Sequence, residues 1–166
     1  SPCEEVRWQK EALEDAVFAA LKVQVAIVQI ETADIKSTAQ SKGNSLQSQR
    51  ATLQMQYDAC GREKLEQYQA YREGRITDEM FLSSRDQLTL RQNMLKGQLE
   101  ECEKQYEASK QEADSAEEKQ QSVGHMAGLS EKQLREHLYD AIERILVYGP
   151  DDIEIVWKFQ DTTATA

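Results

Sequence analysis

The sequence has little of what interrupts a helix. Only two prolines and seven glycines occur in its 166 residues, and most of the chain is glutamine, glutamate, lysine, alanine and leucine. Proline and glycine are the poorest helix formers, whereas the abundant residues are among the best. The composition therefore predicts long helices with solvated outer faces rather than a thick globular core.

Residues that carry catalysis are also scarce. The two histidines, His125 and His137, lie in or near a predicted linker and on a short helix, and neither has an obvious Cys or Ser partner. The sequence contains no Gly-rich phosphate loop and no His-Glu-x-x-His pattern. We therefore predict no catalytic residue and no bound cofactor in this chain, which is not expected to be an enzyme by itself.

Cysteine is rare and scattered. Cys3, Cys60 and Cys102 are odd in number and include no Cys-x-x-Cys pair, which argues against a secreted disulfide scaffold. The first residues lack a basic region followed by an apolar one, so no signal peptide is recognised. A reducing cytosol fits these features, and we expect a cytoplasmic location.

Long apolar runs and an excess of basic residues are missing too. The most apolar window, Ala16–Ile30, contains Lys22, Gln24 and Gln29, and we predict that it is too short and too interrupted to span a membrane. Acidic residues outnumber basic ones by 30 to 20, which gives a net charge of −10. Because DNA binding draws on clustered Lys and Arg, this chain is not expected to be the main DNA-binding surface.

Heptad spacing is the clearest positive signal. We predict helices at 7–39, 46–73 and 78–120, with a weak break or a bend at Gly43-Asn44-Ser45. The apolar stripe of the first helix is wide enough to suggest contact with more than one partner. In the third helix the inward positions alternate four and three apart, as in a coiled coil: Leu88, Gln92, Leu95, Leu99, Cys102, Tyr106, Ser109 and Ala113.

A short turn joins the second and third helices. Gly74 accepts the left-handed backbone that ends a helix, and Thr77 is a suitable N-cap for the next one. A turn of so few residues makes the helices antiparallel, with paired residue numbers that sum to about 150. Leu53 is then opposite Leu95, while the second and third cysteines are too far out of step for a disulfide.

The C-terminal part has a different pattern. A flexible connector at Ser122–Leu129 precedes a capping box at Ser130–Gln133 and a short helix. Alternating apolar residues on both sides of Gly149-Pro150 predict a β-hairpin. Its apolar face must pack against either the first helix or a domain outside this chain, and it consists of Ile153, Ile155, Trp157 and Phe159.

Together these elements predict a mostly α chain. Its main feature is a long antiparallel coiled-coil hairpin, with an additional N-terminal helix and a small C-terminal helix plus β-hairpin at its base. We place the N-terminal helix in 1–42 and the coiled-coil hairpin in 43–121, with its turn near 74–77. The linker, short helix and β-hairpin occupy 122–166.

Three segments, in this order, resemble the C-terminal region of the large serine recombinases, the phage-integrase and transposon-resolvase group. Cys3 and the following Leu13–Val17 are similar to the family's last zinc-ribbon cysteine and the helix after it. The run Tyr68–Phe81 resembles the tyrosine- and glycine-containing segment in the middle of the family's coiled coil. Ile142–Tyr148 with Ile153–Ile155 is similar to its closing hairpin.

The resemblance implies a parent enzyme that cuts and rejoins DNA through a serine–DNA phosphodiester intermediate. Its catalytic and DNA-binding domains would lie outside this chain, and Cys3 would be the last ligand of an incomplete zinc site. In that family, coiled coils of different subunits hold the synaptic tetramer together and help to choose integration over excision. Directionality factors are thought to act through the same element.

The tip of the hairpin supports two interpretations. Tyr and Arg are favoured interface anchors, and the hypothesis of a protein-contact tip includes Tyr71, Arg72, Gly74, Arg75, Ile76 and Phe81. Alternatively, the aromatic residues simply close the end of the hairpin, which is favoured for Tyr68 and Phe81 and open for Tyr71. An acidic coiled coil suits protein contacts better than DNA contacts. The alternative function is a generic coiled-coil interaction scaffold unrelated to DNA.

Overall fold

Two long helices make up most of the chain. The computed structural model describes residues 10–149 and 152–159. Its helices are α1 (Lys10–Arg72), α2 (Asp78–Ala127), α3 (Glu131–Glu136) and α4 (Leu138–Ala141), and its strands are β1 (Ile142–Gly149) and β2 (Asp152–Trp157). The predictions of a mostly helical chain and of a C-terminal β-hairpin are confirmed.

Helix α1 is continuous through the predicted break. Gly43, Asn44 and Ser45 are all helical, so the interpretation of this segment as a break or bend was wrong. A Cβ atom at Gly43 would lie 3.8 Å from Tyr106 Cε2 and 3.9 Å from Ser109 Oγ. Gly43 therefore faces α2, and packing between the helices outweighs the low helix propensity of glycine.

Helix α2 is longer than predicted. It ends at Ala127 rather than near Gln120, so most of the predicted connector at Ser122–Leu129 is helical. Val123, in the middle of that segment, is fully buried. Burial of this side chain extends the helix by more than one turn, and only Gly128, Leu129 and Ser130 separate α2 from α3.

The chain divides into two compact units. Lys36–Asp114 forms one of them, here called the hairpin unit. The residues up to Ile35 and from Ser115 onward form the other, here called the terminal unit. Both boundaries fall inside the long helices, seven residues from the predicted boundaries at 42/43 and 121/122.

Within the hairpin unit, α1 and α2 pack against each other antiparallel. Cross-helix bonds join Ser109 Oγ to the Ala39 carbonyl at 2.7 Å and Cys102 Sγ to the Leu46 carbonyl at 3.3 Å. Further along, Gln92 Nε2 donates to the Tyr57 carbonyl at 3.4 Å, and Arg50 pairs with Glu103 at 3.0 Å. The paired numbers sum to between 148 and 153, which confirms the predicted register.

Apolar side chains fill the same seam. Leu53 and Tyr57 pack against a buried cluster of Cys60, Leu88 and Leu95. All eight inward positions predicted on α2 are buried or half-buried. The second and third cysteines are buried and free, as predicted.

The terminal unit has its own core. One side of α1 contributes its centre, and Val123, the short helices and Trp157 close around it. The buried members are Val17, Phe18, Leu21, Val25, Val28, Val123, Leu134, Leu138, Ala141 and Trp157. The predicted apolar face of the β-hairpin joins this core through Ile153, Ile155 and Phe159 as well.

A capping box begins the short helices, and backbone hydrogen bonds hold the β-hairpin in place. Ser130 and Gln133 form the predicted capping box, with both reciprocal hydrogen bonds present. Strands β1 and β2 are antiparallel, and Ile145 is opposite Ile155. The Lys158 amide donates to the Ala141 carbonyl at 3.0 Å, which joins the end of the hairpin to α4. Strand β1 begins at Ile142, which the sequence had assigned to the short helix.

Candidate protein-contact site at the hairpin tip

The end of α1 is stopped by glycine. Gly74 has φ +71°, and Arg72 is the last helical residue before it. The Arg75 amide donates to the Ala70 carbonyl at 2.9 Å, and the Gly74 amide donates to the Tyr71 carbonyl at 3.0 Å. This pair of bonds is a Schellman motif, in which a left-handed residue satisfies the last free carbonyls of a helix. The predicted cap is confirmed.

The start of α2 is fixed as firmly. Thr77 Oγ1 accepts a hydrogen bond from the Met80 amide at 3.2 Å, the arrangement expected of an N-cap. Asp78 and Glu79 occupy the first turn, where their negative charges interact favourably with the helix dipole. Only the segment from Glu73 to Thr77 separates the two helices, and this tight turn limits the positions that its side chains can take.

Aromatic rings close the seam behind the turn. Tyr71 stacks on Phe81 with ring centroids 4.6 Å apart and an interplanar angle of 12°. Tyr68 approaches the same Phe81 ring at 6.2 Å in a tilted geometry. Tyr71 and Phe81 are half-buried. Both therefore help to close the hairpin, and Tyr71 keeps part of its ring available to a partner.

The Tyr71 hydroxyl also links the two helices. It forms a hydrogen bond with the side chain of Asp78, and this bond, followed by the negative charge of that carboxylate, raises the pKa of Tyr71 above its ordinary value of 10.0. The protonated hydroxyl donates to the carboxylate, whereas a phenolate would be repelled by it. The first turn of α2 is thereby connected to the last turn of α1.

The predicted cationic residues lie outside this closure. Arg75 Nε pairs with Glu73 Oε2 at 2.7 Å, but both side chains remain more than half exposed. Arg72 Nη1 donates to the Tyr68 hydroxyl at 3.5 Å, also at the surface. Gly74 is exposed, and Ile76 is half-buried. The structure thus brings all six predicted contact residues together around one turn.

Sequence reasoning missed two apolar residues beside the turn. Met80 is 57% exposed and Leu82 is also exposed. Both lie in the first turns of α2 but outside its heptad positions, next to the inward-facing Phe81. Large apolar residues immediately before and after an inward heptad position are the sequence signal that could have identified them. Two positions apart on a helix, they lie on opposite flanks of α2, and Arg72 and Arg75 are exposed at the turn.

The metal prediction lies outside the described residues, because it concerns Cys3. Among residues 10–149 and 152–159, no group of three or more His, Cys, Asp or Glu side chains is arranged to hold a metal ion. His137 Nδ1 lies 3.6 Å from Asp140 Oδ2 at the surface. His125 is an exposed residue in the last turn of α2.

Charge is unevenly divided between the two units. The hairpin unit contains 12 Lys and Arg against 13 Asp and Glu, whereas the rest of the chain contains 8 against 17. The terminal unit therefore accounts for −9 of the net charge of −10. The hairpin in its predicted bounds, 43–121, contains 11 Lys and Arg against 15 Asp and Glu, and its negative charge is concentrated in Glu100–Lys119.

Helix α1 is apolar enough, by length and composition alone, to cross a membrane. It contains an 18-residue window with a mean hydropathy of 1.5, of which 33% is buried. The prediction that the apolar window is too short and too interrupted was therefore wrong on those two criteria. A mostly buried core helix and a signal sequence near the N-terminus meet the same criteria, so this window is weak evidence for a membrane span.

Comparisons with known proteins add no relative. The sequence matches no protein-family model, and no curated protein or solved structure matches it.

Proposed function

We propose that the hairpin tip is a protein-contact site of a non-catalytic module in a serine site-specific recombinase. In this proposal the tip contacts other recombinase subunits in synapsis and takes part in the control of recombination direction. The observation that carries the contact role is the combination of a tightly capped turn with exposed Arg72, Arg75 and Met80 around it.

Rigidity of the turn favours specific contact. A partner that binds an ordered surface does not have to fix loop conformations first, and that cost commonly reduces affinity. The turn is held by the Schellman bonds after α1, by the Thr77 cap and by the Tyr71–Phe81 stack. Arg and Met are enriched in protein interfaces, so the side chains presented here suit a protein partner.

We also propose that α1 and α2 form a two-stranded coiled coil in the hairpin unit. The alternating four- and three-residue spacing of the half-buried and buried positions on α2 supports this. A tip surface of this size gives only weak binding in isolation. In a DNA-bound assembly the local concentration of subunits is high, and weak contacts then suffice.

The recombinase assignment depends on the three resembling segments. Tyr68–Phe81 coincides with the turn, and Ile142–Ile155 with the β-hairpin. On this proposal, DNA is bound by domains outside this chain, and zinc is held by the zinc ribbon that Cys3 completes. A directionality factor is a second partner of the tip, and the protein acts in the bacterial cytoplasm.

The test is a double substitution in the complete recombinase. Arg75→Glu with Ile76→Asp reverses the charge and removes the apolar side chain beside Gly74, with both positions outside the helices. We expect recombination to fall by about tenfold or more, the size of a hot-spot loss, while binding to a single attachment site stays unchanged. Synapsis is measured by cross-linking of paired sites on native gels.

The control introduces the same two acidic residues elsewhere on the hairpin unit. Leu90→Asp with Arg91→Glu changes an exposed leucine and an exposed arginine on α2, and recombination should stay near wild type. Synapsis that survives the Arg75 and Ile76 changes would refute the proposed contact. A complete reading frame without a resolvase-type catalytic domain would instead favour the alternative, a coiled-coil scaffold unrelated to DNA.

A further inference from the structure

Helix α1 has a second apolar side in the terminal unit. Val17, Leu21, Val25 and Val28 face the core. On the opposite side lies what is here called the α1 stripe: Ala12, Ala16, Ala19, Ala20, Val23, Ala26, Ile27 and Ile30. At 100° per residue these eight positions fall within about a third of the helix circumference, and none is charged.

The large members of the stripe are open to solvent. Val23 is 60% exposed, Ile27 40% and Ile30 71%. Exposed apolar residues that recur at helical spacing mark an interaction surface more often than isolated ones do. A helix that is apolar on two opposite sides is normally covered on both. The core covers one side of this helix, so the other needs a partner.

The size of the side chains changes along the stripe, and this pattern favours a second copy of the chain as the partner. The first half is alanine, at positions 12, 16, 19 and 20, and the second half contains Val23, Ala26, Ile27 and Ile30. If a second copy packs antiparallel about a two-fold axis at Val23, Ile30 is opposite Ala16 of the other copy, and Ile27 is opposite Ala19. Each isoleucine then has an alanine facing it, while Val23 lies on the axis opposite Val23 of the other copy.

A parallel pair would lack this fit. It would place isoleucine against isoleucine at one end and alanine against alanine at the other, which leaves gaps at the alanine end. Close packing without voids is what makes apolar contact favourable. We therefore propose that the terminal unit forms an antiparallel two-fold dimer through the α1 stripe.

The groove beside the stripe extends this surface. Ala16, Ala20 and Val23 line an open groove whose other wall is Ile153, Ile155 and Trp157 of β2. The stripe itself is about 27 Å long, from a rise of 1.5 Å per residue. That length on one helix face lies at the low end of stable interfaces, so we expect a dissociation constant on the order of 10 µM.

Negative charge on both copies opposes dimerisation, and it makes dimerisation depend on the salt concentration. Carboxylates border the stripe: Asp15 lies at one edge and Glu31 at the other, and Asp34 is opposite Ala12 of the other copy in the antiparallel register. The Asp15 carboxylate is already paired with Arg135 at 2.9 Å. The terminal unit also carries most of the chain's negative charge. Added salt should therefore strengthen this dimer, whereas contacts through arginine at the tip should weaken.

The experiment is sedimentation equilibrium of the whole chain over about a hundredfold concentration range centred near the expected ~10 µM. We expect the wild type to pass from monomer to dimer. Ala16→Glu alone and Ile30→Lys alone should each weaken dimerisation about tenfold or more, because each buries a charge opposite an apolar residue. Far-UV circular dichroism establishes that both variants remain helical.

The double variant distinguishes the two registers. With both changes in one chain, an antiparallel dimer places the glutamate introduced at position 16 opposite the lysine introduced at position 30, and dimerisation should recover. In a parallel dimer like charges would meet, and no recovery would occur. Met55→Glu, at an exposed methionine of the hairpin unit, is the control and should leave the dimer intact.

Three results would overturn the proposal. They are a wild-type chain that stays monomeric across the whole range, a dimer that Ile30→Lys does not affect, and a double variant that dimerises no better than the single variants. Binding of the monomer to neutral phosphatidylcholine vesicles, lost in Ile30→Lys, would also overturn it and assign the stripe to a lipid surface. The tip variants of the recombinase test should leave this dimer unchanged, so the two proposals can fail separately.

Discussion

Replacing Gly43 with alanine should stabilise the hairpin unit. Glycine inside a helix costs roughly 0.8–1.0 kcal/mol relative to alanine. The added Cβ would lie 3.8 Å from Tyr106 Cε2 and 3.9 Å from Ser109 Oγ, which is ordinary van der Waals contact. The methyl group adds a fraction of the ~0.8 kcal/mol that a fully buried CH₂ contributes. We therefore expect Gly43→Ala to raise the free energy of unfolding by about 1 kcal/mol.

Amide hydrogen exchange read by mass spectrometry suits this test, because it reports the hairpin unit separately from the terminal unit. A gain of about 1 kcal/mol increases protection roughly fivefold, and the increase should appear in peptides on either side of position 43. Gly97→Ala is the control. It adds a Cβ with no atom within 4 Å, so its gain comes from helix propensity alone.

The opposite sign would refute the reasoning. If the chain broke or turned at Gly43-Asn44-Ser45, as the local sequence suggests, glycine would be there for its backbone freedom. Alanine would then destabilise the unit and reduce protection around position 43. A loss in Gly43→Ala together with a gain in Gly97→Ala would show that α1 is not continuous.

Three further changes test other parts of the structure. Gly74→Ala should destabilise the hairpin unit by about 1–2 kcal/mol, because φ +71° is costly for a residue with a Cβ. Urea unfolding measures this destabilisation. An unchanged unfolding midpoint would contradict the role of Gly74 as the C-terminal cap of α1. Trp157→Ala should lower the free energy of unfolding by about 3–5 kcal/mol, because this buried ring stacks on Phe159 with ring centroids 5.7 Å apart. Near-UV circular dichroism and a thermal melt should show the loss. An unaltered melt would contradict the role of the ring in the core. Tyr71 has a pKa raised above 10.0 through its hydrogen bond with Asp78, so the stabilisation from this bond is complete below pH 10.0 and is lost as the pH rises through the raised pKa. A spectrophotometric titration should therefore show one tyrosine ionising earlier in Asp78→Asn, and an unchanged titration would contradict the bond.

The turn and the register could be predicted because they follow from local chemistry and simple counting. Gly74 and Thr77 are recognisable as caps from their neighbours alone. Once the turn is placed, antiparallel geometry determines which residues face each other, and Leu53 packs in the same cluster as Leu95.

The length of each helix could not be predicted in the same way. Gly43 looks like a break until Tyr106, far away in sequence, is known to pack against it. Likewise, Val123 lies in a glycine- and serine-containing stretch that resembles a linker, and its burial in the terminal core keeps that stretch helical. Contacts between distant segments outweigh local propensity at both places.

The tip was identified only in part. Arginine and tyrosine beside a glycine turn drew attention to the right segment, but sequence alone could not separate the ring that closes the hairpin from the ring that a partner could touch. The Tyr71–Phe81 stack shows that one ring covers the other. Met80 is exposed because the opposite side of α2 faces α1. The heptad pattern identifies the side that faces α1 only when Phe81 is assigned to an inward position.

Antiparallel packing of α1 and α2 in the hairpin unit is the central claim, and distances between paired spin labels test it most directly. With the native cysteines replaced by alanine, labels are attached at Gln56 and Met94 or at Gln49 and Glu101, all exposed. Electron–electron resonance should give the same short distance for both pairs. Moving one label from Met94 to Leu82 should displace it by about 18 Å along the helix and lengthen the distance. Unequal distances for the two matched pairs, differing by more than ~10 Å, would contradict the antiparallel register.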